Sequence, residues 1–481
     1  MNSKLSYVKK EDRKKILLLC DDIRLHSGIA TMGKEVVLQT AHHFNWVNLG
    51  GAMNHPDDKK AFDLSDDANT QIEIEDAYVK LYATSGYGNA DIVRELIRIE
   101  KPDAILHFTD PRYWTWLYEI EREIRQQMPL LYLNIWDDYP TPLYNKSFYE
   151  CCDLLMGISK QTVNINRMVL GDTASNKLIK YVPHGINTKY FFPIKDSYSN
   201  YEKYLEFKSN VFEGKEIDFI VFWNSRNIRR KSAGDVVLAY RHFCDLIGKE
   251  KAKRCALVMH TQPVDQNGTD LYAVREAICD PSYVNVFFSS SKLSAEQMNW
   301  LYNLADVTML ISSNEGWGLS LTESMTAGTM IIGNVTGGMQ DQMRFVDDNG
   351  EWYTPSPEVP SNHMATYLEC GDWAVPVFPS NISLVGSVPT PYIFDDRCDF
   401  RDVAQAIKEV YELPKEERER RGMLGHDWVR SDEAMMTAQA MGANIAQCME
   451  EAFKNFTPRS KYDIIKVEQL PSKYVQHAMV Y

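Results

Sequence analysis

The sequence predicts an α/β protein made of two doubly wound parallel-sheet domains. Three observations carry that expectation. The chain has 481 residues, long for one hydrophobic core and of a length that divides into two domains. Short continuous apolar runs recur along it, among them KILLLC at Lys15–Cys20, Ala104–Phe108 and Val307–Ile311, and such runs mark strands buried on both faces. Segments of helical spacing lie between them, so strand and helix alternate in two series, one before and one after about residue 187.

The first series opens with KILLLC, a loop DDIRLHS, and a helix with Ile29, Met32, Val36 and Val37 on one face. Ser27 is a good N-cap for that helix and Gly28 is its first residue. The unit lacks the full G-x-G-x-x-G pattern, which argues against a nicotinamide cofactor. Asp91–Ile99 reads as helix, Ala104–Phe108 as a strand leading to Asp110, Trp114–Gln127 as helix and Leu130–Trp136 as strand. Asp153–Ile158 is the next strand, followed by a helix capped by Ser159, and Leu178–Val182 closes the series. The turn PHGIN, ending at Asn187, changes the chain's direction.

A polar stretch, Lys195–Glu216, reads as a loop or an inserted helix. The second series then runs through the strand FIVFWNSR, a helix over Ser232–Ile247, the strands Cys255–His260 and Val284–Phe288, and a helix over Ser294–Leu304. Next comes the strand Val307–Ile311, a glycine-containing loop Asn314–Gly318, a helix Leu319–Ala327 stopped by Gly328, and a strand Thr329–Gly333. Residues from about 347 to 395 are rich in proline and aromatics without clear periodicity, which predicts a long functional insert. Phe400–Leu413, Lys415–Val429 and Glu433–Phe456 read as helices.

Composition narrows the class. Hydrophobic content is 44%, charged content 25% and the formal net charge −14, so the chain has no general field for nucleic acid or anionic lipid. The nine cysteines show no metal-ligand spacing and read as reduced thiols of a cytoplasmic protein. The polar start MNSKLSYVKKEDRKK is not read as a signal peptide, and no apolar run reaches the length of a membrane span.

The chemistry concentrates in Ser312–Gly338. Glu315 lies in the loop at the carboxyl end of a strand, and Glu323 in the first turns of the helix that follows. The glycines between them let backbone N–H groups approach a ligand at a helix N-terminus, a natural phosphate site. This pattern, Glu315-GWGLSLT-Glu323 with the small-residue helix and the Gly-Gly strand end after it, resembles the E-x7-E signature of retaining GT-B glycosyltransferases of family 4. Arg226 and Lys231, five apart after the strand FIVFWNS, resemble that family's R-x4-K phosphate clamp, and PHGIN resembles its inter-domain hinge.

The resemblance implies a GT-B fold, two Rossmann-like domains facing across a cleft. Residues 1–187 would form the acceptor domain and 188–432 the nucleotide-sugar domain, with the insert at about 347–395. The terminal helix, about 433–481, would pack back on the first domain. It implies a retaining transfer from a nucleoside diphosphate sugar to a hydroxyl, with no further cofactor and no metal. Glu315, Arg226 and Lys231 would be catalytic; Gly28, Gly318, Leu319, Ser320 and Glu323 would hold the donor with the two cations. Asp137, Asp110 and His260 are candidate contacts to sugar or acceptor.

Several alternatives stay open. Ser320-Leu-Thr-Glu323 is also a capping box, which would give Glu323 a structural role. Arg229 and Arg230 fall between the clamp residues and read as exposed. Trp136-Asp137 stands where the family usually has His-Asp, which suggests altered sugar specificity or a binding protein without turnover. His184, in the hinge, reads as structural. The acceptor is open: a small molecule, a glycan, a lipid head group, or a hydroxymethylated DNA base. The insert is expected to cover the acceptor side of the cleft.

Overall fold

The computed structural model describes residues 5–212 and 214–461. Eight strands form the first sheet. From one edge they are Ala61–Asp63, Val79–Ser85, Asn45–Ala52, Lys15–Asp21, Ala104–His107, Leu130–Asn134, Leu154–Gly157 and Leu178–Tyr181. All neighbours are parallel except the short edge strand Ala61–Asp63. The second sheet has six parallel strands: Val286–Ser289, Cys255–His260, Phe219–Asn224, Val307–Leu310, Met330–Asn334 and Ala374–Val377. Helices cover both faces of each sheet, so the central strands are apolar throughout; Ile16, Leu17, Leu19, Val221 and Met309 are each 0% exposed.

The return of the chain ties the two halves together. The helix Ala438–Asn455, capped by Thr437, packs along the helix Gly28–Thr40. Ile186 exchanges backbone hydrogen bonds with this segment, donating to Met436 O at 3.0 Å and accepting from Ala438 N at 2.9 Å. The hinge at the end of the first series is thus pinned by the last helix. The expected terminal segment beyond residue 461 lies outside the described residues. Among the described residues, no helix is long and apolar enough to cross a membrane.

Several elements differ from the sequence reading. Asn45–Ala52 is a central strand that the pattern hides, because Asn48 and Gly50–Gly51 interrupt the apolar run. Asn48 is buried and satisfied: its amide nitrogen donates to Leu18 O, and its carbonyl accepts from Ile23 N. The helix expected over Trp114–Gln127 breaks into a 3-10 turn at Pro111–Trp114 and short helices at Thr115–Glu119 and Glu121–Ile124. Trp114 is driven inward there, donating its indole N–H to Thr109 Oγ1 at 2.9 Å. The polar stretch after the hinge contains a helix, Tyr201–Val211.

The largest correction concerns the insert. Ala374–Val377 is the edge strand of the second sheet and pairs with Ile331–Asn334. Pro376 fits there because an edge strand needs no donor on its outer side. Asn381–Ser387 and Thr390–Arg397 form an antiparallel hairpin. The hairpin bridges the two halves. Phe394 N donates to Tyr139 O at 2.7 Å and Tyr144 OH donates to Tyr392 O at 2.9 Å on the first half. On the second, Asn334 Nδ2 donates to Asp396 O at 2.7 Å, and Asp396 N to Ser313 O at 2.9 Å.

Candidate functional site

The carboxyl ends of both sheets converge on the loop Ser312–Gly318. Gly318 has φ 87° and opens the helix Leu319–Thr326, a conformation that L residues rarely adopt. The Gly-Gly pair after the next strand exists to seat this loop. A Cβ on Gly337 would lie 2.0 Å from Glu315 O, and one on Gly338 2.2 Å from Gly316 O. The first half approaches from the other side: the position of a Cβ on Gly28 lies 3.5 Å from Leu319 Cδ1. Two helix N-termini, one from each sheet, therefore face each other across the site. Such termini present unpaired N–H groups and a positive dipole end, suited to phosphate oxygens.

Glu315 is 9% exposed and sits between two cations. Its Oε2 accepts from Lys231 Nζ, and from Arg230 Nη1 at 3.2 Å. Burial pushes the Glu315 carboxyl up, but the charges of Lys231 and Arg230 outweigh it and hold the group at about 2. Burial draws Lys231 down to about 8, with Glu315 opposing that shift and Arg230 adding to it. Arg230 also donates to Asn314 O at 2.8 Å, so it braces the loop as well as its carboxylate.

The structure sets the two residues of the expected phosphate clamp apart: Lys231 bonds Glu315, whereas Arg226 points elsewhere. Its side chain is 65% exposed and its Nε lies 2.9 Å from Asp265 Oδ2. The cause is Asn227, 1% exposed, whose amide nitrogen donates to Pro263 O at 3.0 Å and Thr269 O at 2.7 Å. That anchor turns Arg226 toward the loop after the neighbouring strand. The 3-10 turn Arg229–Lys231 then swings back to Glu315. Arg230, read as exposed, keeps 42% of its side chain open yet engages the loop; Arg229 is exposed.

Glu323 is not a cap. The N-cap position is Gly318, and Ser320 lies inside the first turn, buried. The Glu323 carboxylate instead accepts from Tyr302 OH at 2.5 Å, and Tyr302 in turn accepts from Asn224 Nδ2 at 2.8 Å. Burial pushes the Glu323 carboxyl up, against the Tyr302 hydrogen bond. We expect Glu323→Gln to leave the stability within about 1 kcal/mol of the native chain, because the amide still accepts from Tyr302. It should weaken binding of a ligand hydroxyl pair; a titration calorimetry series across nucleotides checks this, and unchanged affinity would remove Glu323 from the site.

Asp137 faces Glu315 from the first half. A Cβ on Gly337 would stand 3.5 Å from Asp137 Cβ. Burial pushes its carboxyl up to about 6, with Arg230 opposing and Glu315 reinforcing. Trp136, at the position of the expected histidine, is a packing residue: its indole N–H donates to Asp138 O at 2.9 Å and Arg112 stacks over its ring at 5.1 Å. Asp110 binds Arg112 through both carboxylate oxygens. His260 lies two strands from the strand that carries Glu315 and bonds Ser289 Oγ at 3.0 Å. His184 is buried between the rings of Phe108 and Trp317, and burial alone pulls its imidazole down to about 3.

Sequence reasoning missed Arg230 and the two aspartates of the hairpin. Asp395 accepts from Ser313 Oγ at 3.2 Å and Asn314 Nδ2 at 3.1 Å, directly before Glu315. Asp396 accepts from Thr336 Oγ1 at 2.6 Å and lies 3.2 Å from His363 Nδ1. These partners are about eighty and sixty residues away in the chain, so no local pattern signals them.

Two doubly wound parallel-sheet domains whose strand ends meet at one loop have the GT-B fold. Residues 284–372, which carry the Glu315 loop, match the family model described as Glycosyl transferases group 1. No curated protein sequence matches the chain. Among solved structures, sucrose-phosphate synthase from Thermosynechococcus elongatus is similar with a TM-score of 0.63 at 15% identity, covering 92% of this chain and 100% of that one. HepE of Anabaena, solved in complex with UDP and glucose, gives 0.59 at 12% identity over 91% of this chain and 100% of that one. A trehalose-6-phosphate protein of E. coli, bound with UDP-2-fluoro glucose, gives 0.58 at 12% identity over 92% and 100%.

Proposed function

We propose that this chain is a retaining glycosyltransferase that moves a sugar from a nucleoside diphosphate sugar to a hydroxyl acceptor. The observation that carries the reading is the buried Glu315–Lys231 pair, with the half-open Arg230 beside it, set between two facing helix N-termini. The match of residues 284–372 and the UDP and glucose printed for HepE support it. The residues from 188 onward would hold the donor and the first half the acceptor.

The chemistry follows from charge. The bond between the sugar's anomeric carbon and the terminal phosphate oxygen breaks, and the departing diphosphate gains a negative charge. Lys231 and Arg230, with the N–H groups of Gly318, Leu319 and Ser320, stabilise that charge as it develops. The acceptor oxygen bonds the anomeric carbon on the same face, and its proton passes to the leaving phosphate oxygen. Glu315, ionised at neutral pH, accepts from the donor-sugar hydroxyls. Glu323 takes the ribose hydroxyls. Two fixed side-chain cations supply the charge that the step requires, so activity should survive EDTA.

The test is donor turnover against pH. A lysine near 8 is cationic below that value and neutral above it. The free-protein kcat/KM for nucleotide sugar should therefore fall as pH rises through about 8, and Lys231→Ala should lose that limb. A profile flat to pH 10 in the native chain would refute the assignment of Lys231. Consumption of donor only in the presence of hydroxymethylated DNA would favour a base-modifying enzyme, which the net charge of −14 disfavours.

A further inference from the structure

Beside the donor site, the first half carries a second surface that the transfer chemistry leaves unassigned. Tyr113 is 57% exposed, and its ring stacks on Tyr87 with centroids 5.4 Å apart and an interplanar angle of 28°. Tyr87 rests in turn on buried Trp114, so the outer ring is held rigidly and presents one free face. The stack follows the carboxyl ends of Val79–Ser85 and Ala104–His107, the edge of the sheet that faces the cleft.

Polar groups flank this platform on both sides. Tyr87 OH lies 3.4 Å from Asp21 Oδ1, and Ser27 Oγ donates to Asp21 Oδ2 at 2.6 Å, at the same helix terminus that meets Leu319. On the other side Asp110 and Arg112 form a fork, with Arg112 also covering Trp136, the neighbour of Asp137. A line of residues therefore leads from Tyr113 to the reacting centre by two routes.

The charge on this wall discriminates between ligands. Arg112 is occupied by Asp110. Arg24 bonds Asp22 and Asp57, and Lys60 also bonds Asp57. Lys59 and His26, on the same loops, are exposed. The two arginines and Lys60 thus converge on carboxylates, while Asp21 is met by the hydroxyls of Ser27 and Tyr87 rather than by a cation. A phosphate-bearing acceptor would meet the Asp21 carboxylate and an Arg112 already paired with Asp110. A neutral sugar suits the wall better: its C–H face lies on an aromatic ring and its hydroxyls donate to carboxylates.

We propose that the acceptor is a neutral saccharide, held by stacking of one ring on Tyr113 and by hydroxyl contacts to Asp21 and the Asp110–Arg112 pair. The proposal rests on the donor reading above and names the other substrate of the same site.

The test uses the full chain and the nucleotide sugar that it hydrolyses without acceptor. Maltose, cellobiose, lactose and sucrose are offered in parallel with glucose 6-phosphate, fructose 6-phosphate and a duplex containing 5-hydroxymethylcytosine. Saccharide binding is read separately by saturation-transfer NMR without donor. We expect transfer to at least one neutral disaccharide. Tyr113→Ala should raise its KM roughly tenfold, the scale of losing one aromatic anchor, while Tyr113→Phe keeps it. Melting temperature should hold in Tyr113→Phe and fall only slightly in Tyr113→Ala, which loses the stack on Tyr87 but little buried area. Transfer to the sugar phosphates or the DNA alone, no binding of any neutral saccharide, or an unmoved KM in Tyr113→Ala would each overturn the proposal. If no nucleotide sugar is hydrolysed at all, the donor reading fails, and NMR binding lost in Tyr113→Ala still reads the platform by itself.

Discussion

Glu315→Gln should lower kcat/KM for nucleotide-sugar turnover by about a hundredfold or more, the scale of losing one preorganised transition-state contact. The amide keeps the volume and one acceptor oxygen but removes the charge that balances Lys231 and Arg230. The same change should cost stability. Glu315 is held at about 2 against an ordinary value of 4.5 because Lys231 and Arg230 outweigh its burial, and removing its charge leaves Lys231 buried without its partner. The sign is that of a depressed carboxylate. The contribution is fully present above about 4.5 and fades as pH falls toward 2. Melting temperatures of the native chain should therefore drop through that window, and those of Glu315→Gln should drop less. A variant with native turnover, or one with native stability and an unchanged acid limb, would separate Glu315 from the cations that surround it.

Lys231→Ala should lower kcat more than it raises the donor KM, by about a hundredfold or more, because the diphosphate carries its extra charge only as the sugar leaves. Arg230→Lys keeps a charge and loses the planar fork, so it should lower kcat by a smaller factor. Both cations act on one ligand and one carboxylate, so the double variant should cost less than the sum of the singles. Arg226→Ala is the decisive comparison. Its exposed pair with Asp265 contributes about 0–1 kcal/mol at most, and its loss should leave turnover within a few-fold of native. If Arg226→Ala is as damaging as Arg230→Ala, the loop around Asn227 rearranges when the donor binds, and the clamp has the register that the spacing first suggests. Single-turnover kinetics on Arg226→Ala and Arg230→Ala distinguish these outcomes.

The hairpin gives the insert a physical role beyond covering a cleft. Its backbone bonds Tyr139 on one half and Ser313 on the other, and Asp395 bonds the two residues before Glu315. The loop that carries the central carboxylate is thus positioned by a segment that also grips the first half. A change of spacing between the halves would be felt at Glu315 through these bonds.

The sequence by itself determined the class of fold and the identity of the central loop. Continuous apolar runs such as KILLLC admit little except buried parallel strands, and the glycines around Glu315 mark a strand end, a helix start and a close backbone crossing within one short window. Those are local constraints, and local constraints are legible in order along the chain. The strand Asn45–Ala52 escaped because its polar Asn48 is satisfied by Leu18 of the neighbouring strand and Ile23 of the loop after it, which no spacing reveals. Only the tertiary structure decided which cation meets Glu315. Spacing points to Arg226 and leaves Arg230 exposed; that Arg230 meets Glu315 instead follows from Asn227, whose bonds to Pro263 and Thr269 close a loop some forty residues away. It also decided that Glu323 bonds Tyr302 rather than capping its own helix, and that Asp395 supports Ser313 and Asn314 from the hairpin. Burial turns such distant pairings into strong ones, because a desolvated polar group must find its partner wherever the fold places it.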